Sequence, residues 1–83
     1  MTVKEVINFY FKKYREMMVK VEMLNGIEGK YHKITKDGFY KLFGNWDNEV
    51  AIKVHFETHN THWYNGKTEY IERDLPVLYI CYM

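Results

Sequence analysis

Residues 3–23 read VKEVINFYFKKYREMMVKVEM, and the rhythm of this stretch decides the fold. Val3, Val6, Ile7, Tyr10, Phe11, Tyr14, Met17 and Met18 recur at helical spacing and fall within an arc of about 140° on a helical wheel. Lys4, Asn8, Lys12, Lys13, Arg15 and Glu16 take the opposite arc, where Phe9 is the one apolar intruder. Thr2 and Glu5 supply a T-x-x-E capping box, which satisfies free amides at a helix start. Near Met18 the period changes to two. Val19, Val21 and Met23 then alternate with Lys20 and Glu22, the pattern of a half-buried strand.

Working outward, turn chemistry divides the rest of the chain. Asn25-Gly26 and Gly29 are bending points. Residues 31–35 and 39–43 flank Lys36-Asp37-Gly38, which predicts a short hairpin. A helix over residues 36–43, capped by Thr35 and stopped by Gly44, is the rival reading. Gly38 inside that helix would cost about 1 kcal/mol relative to Ala, so the hairpin is preferred. Residues 44–48 form a loop by composition. Val50, Ile52, Val54 and Phe56 alternate with Ala51, Lys53, His55 and Glu57, the clearest strand pattern in the chain. Asn65-Gly66 marks a second hairpin between residues 63–64 and 67–71. Asp74-Leu75-Pro76 interrupts pairing, because proline lacks an amide donor. The apolar run of residues 77–82 reads as a strand buried on both faces or at a sheet centre. The predicted fold is α+β: one N-terminal amphipathic helix packed on a 5–6-stranded antiparallel, mostly meandering sheet, in one domain spanning residues 1–83.

Composition bounds the function. Eighty-three residues are near the lower limit for a domain without staples, and eight Tyr and five Phe supply large rings for a small core. The single cysteine, Cys81, allows no internal disulfide and lies in an apolar run, which predicts a buried, inert thiol. That fits a reducing compartment, and the expected location is cytoplasmic, with no membrane span. Ten of the twelve basic residues are Lys, and Ala occurs once, a bias expected of an AT-rich genome.

Four classes of function follow from the side chains. Catalysis has no motif: there is no serine, no glycine-rich phosphate loop, and no activating partner beside Cys81, so neither an enzyme nor a cofactor is expected. For a metal site, His55, His59 and His62 are the candidate ligands. Histidines four apart on a strand lie about 13 Å apart, so the set needs a bend near Asn60. For nucleic acid, residues 1–20 carry a net charge of +3, and Lys4, Lys12, Lys13 and Arg15 could contact phosphates. No RNP or helix-turn-helix pattern accompanies them.

Protein binding takes the largest share. Phe9, Tyr40, Trp46, Trp63 and Tyr64 are aromatics that the pattern leaves outside the core, and such rings either close the ends of a core or anchor an interface. A homodimer would help so short a chain bury them, with the strand of residues 77–82 pairing across it if that strand lies at an edge. The expected role is a non-enzymatic protein-binding module. The AT-leaning composition would suit a phage or mobile-element accessory protein that inhibits or modulates a host defence protein.

Overall fold

The computed structural model describes residues 1–26, 29–44, 46, 48–58 and 75–83. They form helix α1 (Val3–Phe11), strands β1 (Glu16–Met23) and β2 (His32–Thr35), helix α2 (Lys36–Phe43), and strands β3 (Ala51–Glu57) and β4 (Val77–Tyr82). Helix α1 starts as its capping box requires. The Glu5 amide donates to Thr2 Oγ1 at 3.2 Å, and the Thr2 amide donates to Glu5 Oε1 at 2.9 Å. The Thr2 hydroxyl also donates to Glu5 Oε1 at 3.1 Å, and the two bonds from Thr2, its amide first and its hydroxyl second, hold the Glu5 carboxyl below the usual carboxylate range.

The helix is shorter than its apolar stripe predicts. It stops at Phe11, and Met17 and Met18 belong to β1 instead. In β1, Met17, Met18, Val19 and Lys20 are all buried, so the strand is covered on both faces. Two adjacent apolar residues fit a doubly buried strand as well as they fit a helical stripe, and periodicity cannot separate the two. β1 ends in the expected turn, with Asn25 in the left-handed region at φ 62° and the Gly26 amide donating to Met23 O at 2.9 Å.

Among the described residues the sheet has four strands in the order β2-β1-β4-β3. β1 pairs with β2 antiparallel and with β4 parallel, and β3 pairs with β4 antiparallel. The sheet is therefore mixed rather than wholly antiparallel, and it does not meander. Alternation along a strand reports which faces are buried; it carries no information about the direction of the neighbour. The apolar C-terminal run takes the central position its composition implies: β4 lies between β1 and β3, with Leu78 and Ile80 fully buried. Because it is central, it cannot serve as an edge for pairing across a dimer. Pro76 stands just before it and accepts from the Met18 amide at 2.9 Å. The predicted hairpin at Asn65-Gly66 lies outside the described residues.

Residues 36–43 are helical, which overturns the predicted hairpin there. Thr35 Oγ1 accepts from the Gly38 amide at 3.2 Å, and Gly44, at φ 81°, ends the helix with its amide donating to Tyr40 O. The cost of glycine at position 38 is offset by packing. A Cβ there would lie 3.1 Å from Ile34 Cγ1, so glycine lets the first turn of α2 sit close against β2. That approach brings Phe39 into the core with no exposed surface, and burying such a ring contributes about 1.5–3 kcal/mol.

Both helices cover one face of the sheet. Val3, Val6, Ile7 and Phe39 pack there against Met17, Val19, Ile34, Leu78 and Ile80. Trp46 closes one end of this core, with its ring 4.7 Å from Tyr82 and 6.5 Å from Phe39.

β3 departs from expectation in its burial. It is a strand, but its apolar residues are not all inside: Val50 is 50% exposed, Ile52 45% and Val54 40%. A bulge between Ala51 and Lys53 also shifts its register. Phe56 is half-buried, stacked on Tyr10 at 4.4 Å and packed on Tyr14 at 5.5 Å. The helices lie over the central strands, and the apolar side of β3 extends past their cover.

Candidate functional site

An apolar groove runs where α1 meets the outer part of the sheet. Its walls are Met1, Val6, Phe9, Tyr10 and Val54, and its volume is ≈ 270 Å³. α1 supplies one wall because Val6 and Tyr10 lie at the flank of its core-facing stripe, while Phe9 sits one residue round, outside that stripe. Phe9 is 49% exposed and meets Tyr10 edge to face, with centroids 5.0 Å apart. Lys13 Nζ lies 5.3 Å above the Phe9 ring, a cation–π distance. Val54 forms the sheet-side wall. Lys13 thus sets a cation at the Phe9 end of the groove, and Lys12 and Arg15 are exposed in the same segment after α1.

The remaining predicted site residues are distributed as follows. Tyr40 is half-buried, and its hydroxyl donates to Asn8 Oδ1 at 3.0 Å, tying α2 to α1. Trp46 is half-buried against Phe39, Phe43 and Tyr82. Its Nε1 is buried, with no hydrogen-bond acceptor among the described residues. Trp63 and Tyr64 lie outside the described residues, as do His59 and His62. His55 and Glu57 share a face, as their spacing implies, with His55 Nε2 3.0 Å from Glu57 Oε1. Among the described residues no three His, Cys, Asp or Glu side chains converge as metal ligands. Lys4, Lys12, Lys13 and Arg15 are all exposed. Cys81 is buried and free, as its apolar surroundings imply.

The sequence reading missed a polar cluster on the sheet face away from the helices. Lys20 and Glu22 follow the pattern of solvent-facing residues, yet Lys20 is only 7% exposed. Lys20 Nζ is 3.3 Å from Glu22 Oε1 and 5.4 Å above the Tyr31 ring. Glu22 also accepts from the Gly29 amide at 3.0 Å and from the Tyr79 hydroxyl at 2.8 Å. Burial pushes the Glu22 carboxyl up. The bonds from Tyr79, Gly29 and Lys20, with the Lys20 charge, outweigh that and hold it below the usual range. Burial first, and the Glu22 carboxylate second, push Tyr79 up to about 12, so it stays a neutral donor. No local pattern signals this: β1 is covered on both faces because it pairs with the central strand β4.

The two features differ in what they offer a ligand. In the polar cluster, Glu22 holds both Lys20 and Tyr79, and a buried charge network of this kind is a structural element. The groove presents apolar surface that nothing described covers, beside cations. No helix among the described residues is long and apolar enough to cross a membrane. Compared with known proteins, the chain matches no family model, no curated sequence and no solved structure.

Proposed function

We propose that this chain is a non-enzymatic protein-binding module whose groove between α1 and β3 receives a large apolar side chain from an acidic segment of a partner. One observation carries the reading: Phe9, a large ring 49% exposed, stands over a groove whose other walls are Met1, Val6, Tyr10 and Val54. Single exposed apolar residues are ordinary on a protein surface, but a contiguous group of them marks an interaction site. Aromatic anchors in such a group dominate interface energetics. Lys13 over the Phe9 ring favours a partner with negative charge beside its anchor, and with the exposed Lys4, Lys12 and Arg15 of the same segment it would speed encounter at low salt.

The test compares affinity capture from cells of the native host by the unaltered chain and by Phe9→Ala. A partner that carries an acidic segment, is lost on Phe9→Ala at an unchanged thermal melt, and binds more weakly as salt rises supports the reading. Equal capture by the variant, or unfolding of the variant, removes its basis. The exposed Lys4, Lys12, Lys13 and Arg15 define the competing reading, a nucleic-acid surface. Retardation of DNA or RNA at low salt that is insensitive to Phe9→Ala but lost on Lys12→Glu with Lys13→Glu would replace the groove proposal with that one.

A further inference from the structure

Among the described residues nine large apolar side chains are exposed, and five of them, Met23, Leu24, Val50, Ile52 and Met83, meet at one end of the sheet. Backbone bonds bring them together. The Leu24 amide donates to Tyr82 O at 2.7 Å, and the Met83 amide donates to Val50 O at 3.1 Å. Leu24, Met83 and Val50 therefore lie side by side across the ends of β1, β4 and β3. Ala51 and Tyr82 pack against the core on the helix side. Successive strand residues alternate between faces, so their neighbours Val50 and Met83 belong to the opposite face. Met23 adjoins Leu24 at the end of β1, and Ile52 lies within the bulge of β3. The groove is on the helix side, and none of these five residues is among its walls.

We infer that this patch is the contact between two copies of the chain, related by a two-fold axis at Met83. The five side chains, from Leu24 at 43% exposed to Met83 at 73%, present on the order of 500 Å². That is the size of the largest patch on an ordinary monomer, and a standard interface covers about a tenth of a small protein's surface, here 5798 Å² in all. Charge narrows the occupant. Glu22, beside Met23, is already held by Lys20, Tyr79 and Gly29, and Lys53 stands only at the rim. Lys12, Lys13 and Arg15 follow the far end of α1, whose start is bridged to Val50 through Thr2. A patch with so little positive charge offers a nucleic acid or an anionic lipid surface nothing to hold, and an uncharged apolar surface fits it. A second copy presents that surface at matching size and brings no like charges to its centre. An isologous contact about Met83 sets Met83 on Met83 and Leu24 against Val50, twice. Unbranched methionine side chains can repack to fill such a contact. It is independent of the groove reading; either can fail without the other.

The full chain tests this by sedimentation velocity across a concentration series, with circular dichroism to establish that each variant is folded. A dimer is expected at high concentration, and raising salt should not weaken it, because apolar contact is not screened. Met83→Lys and Val50→Lys, both at exposed positions, should each weaken it by about tenfold or more, since the axis buries two charges without partners. Phe9→Ala should leave it unchanged; loss of the dimer in that variant would move the contact to the groove and overturn the inference. Under mild oxidation Met83→Cys should link to itself. Leu42→Cys, at a position 55% exposed on α2, should not, and neither should the unaltered chain with its buried Cys81. A monomer at every concentration, or Leu42→Cys linking as readily as Met83→Cys, overturns the inference. So does a monomer that binds phosphatidylcholine vesicles and loses that binding on Met83→Lys, which would assign the patch to a lipid surface.

Discussion

β3 and β4 lie side by side, from Ala51 against Tyr82 to Glu57 against Val77, yet one is core and the other surface. β4 has a neighbour on each side, and Val77, Leu78, Ile80 and Cys81 are all buried. β3 has the more regular apolar alternation, yet Ile52 and Val54 are 45% and 40% exposed. The contrast teaches that burial is set by what reaches a side chain. A pattern of alternation says that one side of a strand is apolar; it does not place a helix above it. On β3 that uncovered side is where the groove forms.

The largest expected effect comes from breaking the central strand. Leu78→Ala should cost about 2–5 kcal/mol, since a fully buried side chain leaves both lost transfer energy and a cavity. For a domain this small that is a large share of total stability. Urea denaturation measures it, and a loss below about 1 kcal/mol would remove β4 from the core.

Next in size is the polar cluster on the far side of the same two central strands. Glu22→Gln removes the carboxylate charge that faces Lys20 and accepts from Tyr79 and Gly29, and a loss of about 2 kcal/mol is expected. The double variant Lys20→Met with Glu22→Leu should recover much of that, because it removes the buried charge together with its partner. If the two substitutions are simply additive in urea melts, the pair is not coupled.

The same cluster gives the fold a pH dependence with two limits. Glu22 is depressed in the folded chain, so its contribution is present above the ordinary carboxylate pKa and is lost as pH falls through that value toward the depressed one. Tyr79 is raised to about 12, so its contribution is complete below the ordinary tyrosine pKa near 10 and is lost as pH rises from there through about 12. Thermal melts across pH should show both limits, and Tyr79→Phe should flatten the alkaline one. An alkaline limb unchanged in Tyr79→Phe would assign that limb to another group.

The smallest effect is expected on the exposed side of β3. Val54→Thr should change stability by no more than about 0.5 kcal/mol, the range of ordinary surface substitutions. Set against Leu78→Ala, this measures the contrast between the two strands directly. A loss approaching that of Leu78→Ala would mean that Val54 is covered, and the groove would lose its sheet-side wall.

Much of the fold was legible in the residues, and the misses share a cause. The start of α1 follows from Thr2 and Glu5, whose bonds are local, and the turn at Asn25-Gly26 follows from residues that tolerate a left-handed backbone. Phe9 stands apart from the helical stripe on the wheel, and it is exposed. The end of α1 was misread because Met17 and Met18 suit a helix stripe and a doubly buried strand equally well. Residues 36–43 were misread because the cost of Gly38 is local, while its compensation, close packing on Ile34, is not. Of the groove, Phe9 alone was visible in sequence. Val54 was expected inside, and no pattern pairs it with Met1.

By itself, then, the sequence determined what depends on neighbours along the chain: the capping box, the turn at Asn25, the burial of residues 77–82 and the helical wheel that sets Phe9 apart. Only the tertiary structure decided the parallel pairing of β1 with β4, the burial of Lys20 beside Glu22 and Tyr79, and the exposure of β3. Those depend on which distant segments meet, and short-range periodicity describes a side chain's preference without naming the surface that satisfies it.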